Sequence, residues 1–115
     1  MLKQKKLELS ILKIFLIDNK YAISSNIDDL LNGLTITNRK FTGVGFFTTI
    51  SIENIVFSRD NVHWGKNISC TINDSIEIGF LAIPEDKELT IEGFTYGNDE
   101  YPDIIESYHI NKSEY

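Results

Sequence analysis

Apolar residues in the first part of the chain recur at every third or fourth position. Leu7, Ile11, Ile14 and Phe15 share one side of a helix over residues 7–17, and Leu9, Leu12 and Leu16 widen the stripe. A stripe that broad predicts a well-buried helix. Glu8 and Lys13 read as polar interruptions of it, and Asn19 suits a left-handed C-terminal residue. A second, short helix is expected over residues 25–31. Ser24 or Ser25 would cap it, Asp28 and Asp29 would favour its first turn, and Gly33 would close it.

After Gly33 the period falls to two. Val44, Phe46, Thr48, Ile50 and Ile52 alternate with Gly45, Phe47, Thr49 and Ser51, which predicts a strand preceded by an edge strand over residues 35–42. Further strands are expected at 55–57, 68–72, 76–83, 88–96 and 105–110. Asn73-Asp74-Ser75 and Pro84-Glu85-Asp86-Lys87 supply turns between neighbours that pair antiparallel. Within 88–96 the alternation slips: Leu89 and Ile91 share one parity, Phe94 and Tyr96 the other. A bulge at Gly93 would return the two aromatics to the core side. The pattern as a whole predicts a single α+β domain over residues 1–115. Its two N-terminal helices pack on a twisted antiparallel sheet of about five to six strands.

Composition narrows the function classes. A chain of 115 residues is one domain's worth, and 42% hydrophobic residues suffice for one core. The single cysteine, Cys70, forms no internal bridge. The apolar run after Lys3, Lys5 and Lys6 is short and interrupted by charge, which argues against a signal peptide or a spanning helix. A cytoplasmic protein is expected, with no membrane role. A net charge of −6 disfavours nucleic acid as a partner. The charge is uneven: five lysines occupy the first twenty residues, whereas residues 85–106 hold eight acids against Lys87 alone. Such a segment steers basic partners.

Catalytic chemistry finds little support. His63 lies beside Trp64 in a polar loop without a serine or cysteine nucleophile nearby, and His109 falls in a strand-like alternation. The two histidines and Cys70 lack metal-site spacing, and the acids around Asp99 lack the pattern of a calcium loop, so no cofactor or metal is implied. Gly43 and Gly45 precede a strand rather than a helix, which suits backbone freedom better than phosphate binding. The protein is therefore read as a binding protein and not an enzyme. Tyr96, Asp99, Glu100, Tyr101, Asp103 and Glu106 combine tyrosines with acids and are the candidate partner-binding residues.

Two stretches carry a resemblance. Arg39-Lys40-Phe41-Thr42-Gly43-Val44-Gly45-Phe46-Phe47-Thr48 resembles the R-x-x-T-G-x-G-F-[FY]-T signature of a family of small bacterial proteins of unknown activity. Leu89-Thr90-Ile91-Glu92-Gly93-Phe94-Thr95-Tyr96-Gly97, followed by acids and Pro102, is similar to that family's second signature, with Tyr101 standing where a tryptophan is expected. In size, acidity and single-domain build the chain also resembles bacterial immunity proteins, including those of contact-dependent growth inhibition. That likeness implies stoichiometric neutralisation of a cognate, basic protein toxin, in some systems a nuclease. Two alternatives remain at this point. One is a small-ligand-binding protein or enzyme with a pocket between helices and sheet, near Phe46, Phe47, Phe80, Phe94 and Tyr96. The other is a structural or regulatory dimer formed through the edge strand at 35–41.

Overall fold

A computed structural model describes residues 2–23, 25–57, 68–97 and 100–112. Helix α1 (Leu2–Asp18) and helix α2 (Ile27–Leu31) precede six strands: β1 (Leu34–Phe41), β2 (Gly45–Ile52), β3 (Ile68–Ile72), β4 (Ile76–Glu85), β5 (Glu88–Thr95) and β6 (Tyr108–Lys112). All neighbours pair antiparallel in one sheet of order β1-β2-β5-β4-β3-β6. The expected α+β architecture of two helices on an antiparallel sheet is the observed one.

Helix α1 buries Leu7, Ile11, Leu12, Phe15 and Leu16 in the same core as Phe46, Ile50, Ile52, Ile78, Phe80, Leu89 and Ile91. Each large aliphatic or aromatic side chain removed from water there contributes roughly 1.5–3 kcal/mol. Its buried face also includes Gln4 and Glu8, so Glu8 does not interrupt the stripe but lies on it. The helix ends one residue later than expected of Asn19. Lys20 is the left-handed residue (φ 64°), with Tyr21 N–H donating to the Leu16 carbonyl and Lys20 N–H to that of Ile17. Asn19 instead donates its side chain to the Phe15 carbonyl. Helix α2 is shorter than expected. Its N-cap is Asn26, whose side chain accepts from Ile23 N–H, while Ser24 lies outside the described residues.

Three departures reshape the sheet. Residues 55–57 form no strand, only a bridge from Phe57 to Asp86. The final strand starts at Tyr108 rather than at 105. The bulge sits in β1, not at Gly93. Ile36 faces Ile50, but Asn38 faces Thr49, so Thr37 is an extra residue in β1. Strand β5 runs in unbroken register against both β2 and β4. Gly93 keeps its place on the core side because a Cβ there would lie 2.3 Å from the Phe46 ring. Phe94 and Tyr96 consequently stay on the opposite face, with their rings edge to face at 5.7 Å. They lie across Gly79, where a Cβ would meet the Phe94 ring and the Tyr96 hydroxyl at under 3 Å.

At the β3–β4 turn Asn73 (φ 53°) and Asp74 (φ 63°) both adopt left-handed conformations, and Ser75 N–H closes on the Ile72 carbonyl. The β4–β5 tip uses Asp86 (φ 58°). Among the described residues no helix is long and apolar enough to cross a membrane.

Candidate functional site

Strand β5 ends at the middle of the sheet and β6 begins at its edge, so the chain between them must pass β4 and β3. Residues 100–107 make this crossing as a strap over the open end of the core, on the α1 side. Tyr101 and Ile105 point inward and are buried. The Tyr101 ring packs edge-on to Phe46 at 5.4 Å and beside Phe41 at 6.0 Å. Its hydroxyl donates to Gln4 Oε1, and its N–H donates to the Gly43 carbonyl at 2.8 Å. Gly43 (φ 89°) turns the β1–β2 tip so that this carbonyl is presented.

The Asn73 side chain ties down the far end of the strap. Asn73 donates Nδ2 to the Ile104 carbonyl at 2.9 Å and accepts from Glu106 and Ser107 N–H at 2.7 and 3.3 Å. Its own N–H donates to the Ser107 carbonyl at 2.9 Å. Lys3 at the start of α1 donates to the Glu106 carbonyl. The strap is thus tied to the β1–β2 and β3–β4 turns and to the helix.

Beneath the strap lies a buried polar network that the sequence reading missed. Glu8 accepts from Gln4 Nε2 at 2.9 Å, from Thr48 Oγ1 at 2.5 Å and from Arg39 Nε at 2.9 Å, and it pairs with Arg39 Nη2 as well. The two-pronged contact is the strong form of an arginine–carboxylate pair. Its hydrogen bond to Glu8 holds the Arg39 guanidinium above its ordinary pKa. The β1 bulge makes this possible. Leu34 and Ile36 face the core, and regular alternation would next send Asn38 and Lys40 inward; the extra residue sends Arg39 and Phe41 instead. The visible signal was Gln4 and Glu8 at helical spacing with Ile11 and Phe15. Tyr101 joins the network through Gln4, and burial, with the Glu8 charge second, raises its hydroxyl well above the ordinary value.

The candidate contact residues separate. Glu100, Asp103 and Glu106 are exposed on the strap. Tyr101 is only 8% exposed, so its ring anchors the strap and does not face a partner. Tyr96 is 48% exposed but lies on the other face of the sheet. Asp99, like His63 and Trp64, lies outside the described residues. Sequence reasoning passed over Ile104, which is 71% exposed among the strap acids, and the exposed Phe41 and Val44 at the adjoining tip. An isolated exposed isoleucine has no periodic signature. Two open clefts flank the strap, one of about 280 Å³ between Lys3, Phe41 and Ile104, and one of about 360 Å³ between Phe41, Gly43 and Asp103. The aromatics considered for a single ligand pocket are divided: Phe46 and Phe80 fill the core, whereas Phe47, Phe94 and Tyr96 belong to the opposite sheet face.

Among the described residues no three His, Cys, Asp or Glu side chains gather as metal ligands. His109 is exposed on β6, and Cys70 is fully buried, with burial pushing its thiol up to about 11. Compared with protein-family models, with curated proteins and with solved structures, the chain matches none.

Proposed function

We propose that this protein is a stoichiometric inhibitor of a basic protein partner. It is of the toxin-immunity type, acts in the cytoplasm, and works by occlusion rather than catalysis. One observation carries the reading: an exposed isoleucine stands among three exposed acids, Glu100, Asp103 and Glu106, on a strap whose backbone is tied down on both sides of it. A pre-ordered segment loses little conformational entropy on binding, which favours tight association. The acids accelerate encounter with a cationic surface, and Ile104 supplies the apolar anchor that retains it. The resemblance to immunity proteins points the same way and adds contact-dependent growth inhibition as the setting.

The partner to try is the product of a toxin-like reading frame adjoining the gene. Co-expression should relieve its toxicity, and a one-to-one complex should form whose association slows with added salt. Ile104→Asp and Asp103→Lys should each weaken the complex by about ten- to a hundredfold, equivalent to roughly 1.4–2.8 kcal/mol. Full affinity in both variants would overturn the assignment to the strap, and a product that neither binds nor is neutralised would overturn the inhibitor reading.

A further inference from the structure

The helices and the strap cover one face of the sheet, and the other face is bare among the described residues. On that face no side chain is buried. Register places Phe47 of β2, Glu92 of β5 and Leu81 of β4 side by side in one row. One step along lies Phe94, flanked by Gly45 and Gly79; one step the other way lies Ile83, opposite Thr90. Tyr96 extends the patch beside Glu77, whose carbonyl accepts its N–H at 3.1 Å. Leu81 is 49% exposed, and Phe47 and Phe94 are half-buried.

Glu92 is the informative residue. The residue is half-buried between two apolar side chains in register, and its carboxylate has no ion pair among the described residues. Among the described residues the nearest cation in register is Lys40, on the far side of Phe47. Glu77 and Glu88 share this face, so among the described residues acids outnumber bases around the apolar patch. We infer that the open sheet face is a second docking surface, for a cationic protein segment that seats a lysine or arginine on Glu92 and apolar side chains on Phe47, Leu81 and Phe94. Charge decides the class of occupant. A second copy would oppose acid to acid, and an anionic lipid surface or a nucleic acid would be repelled by the same rim. A cationic amphipathic segment satisfies both the apolar patch and a carboxylate without an ion pair among the described residues.

This surface lies across the sheet from the strap, so its test is separate. The full chain, labelled with nitrogen-15, is titrated with a short synthetic peptide of alternating lysine and leucine. Peptides alternating glutamate with leucine, and lysine with serine, serve as controls. The expected result is saturable amide shifts at Phe47, Leu81, Glu92 and Phe94 with the lysine–leucine peptide only. Glu92→Gln should weaken binding about tenfold while shifts elsewhere in the spectrum show the fold intact. Shifts confined to β1 would mean strand addition at the sheet edge, and an equal response to either control would mean unspecific contact. Concentration-dependent shifts of the free chain at this face would mean self-association. Each of these results, or no response at all, overturns the inference. A response confined to residues 100–106 overturns it too, while leaving the inhibitor reading standing.

Discussion

Removing Arg39 is expected to cost more than neutralising the carboxylate it binds, although both changes break the same ion pair. The Glu8 side chain is 5% exposed and that of Arg39 23%. Breaking a buried pair by deleting one partner costs about 3–5 kcal/mol, because the other charge stays buried without compensation. In Arg39→Ala the stranded group is the deeper one. It keeps its hydrogen bonds from Gln4 and Thr48, which lowers the expected cost to about 2–4 kcal/mol. In Glu8→Gln the stranded guanidinium lies at the wet edge of the network and can hydrate, and the new amide still accepts from Thr48, so about 1 kcal/mol is expected. Urea unfolding followed by circular dichroism measures both, with the midpoint moving and the slope unchanged if the denatured state is unaffected. Glu8→Leu combined with Arg39→Met should recover part of the loss seen in Arg39→Ala, since no charge then remains buried. The reasoning is refuted if Glu8→Gln is as costly as Arg39→Ala, or if Arg39→Ala costs less than about 1 kcal/mol.

Asn73→Gly keeps the left-handed turn but removes the side chain that binds Ile104, Glu106 and Ser107. Hydrogen exchange at the Glu106 and Ser107 amides should accelerate at least about tenfold, with β4 and β5 unchanged; unchanged protection at the strap would refute its anchoring by Asn73. Stability should also fall in alkali. Burial holds the Cys70 thiol at about 11, and the Tyr101 hydroxyl is raised too. The unfolded chain therefore loses these protons first, from about pH 8.5 for the thiol and about pH 10 for the phenol. Both contributions are fully present below those values and decline as pH rises. Cys70→Ser should flatten the unfolding profile between about pH 8.5 and 11 and Tyr101→Phe the part above about pH 10; slopes identical to those of the unsubstituted chain would refute the assignment.

What the sequence determined by itself was local. A broad stripe at period 3.6 made α1, alternation at period two made β2, β3, β4 and β5, and Asn73-Asp74 made a tight turn. Each depends on neighbours a few residues apart, so one dimension carries it. The acids of residues 100–106 were likewise legible as a charged, exposed segment. Tertiary structure decided which side each residue serves. The parity slip in β5 looked like a bulge at Gly93, yet Phe46 on β2 needs the space above that glycine, and the real bulge in β1 turns Arg39 onto Glu8. The tyrosines exchanged roles for the same reason. Tyr101 meets Gln4, ninety-seven positions away, and is drawn inward, whereas Tyr96 settles over Gly79 on the open face. Periodicity says that a strand has two faces. Only the packing of distant elements says which one is covered.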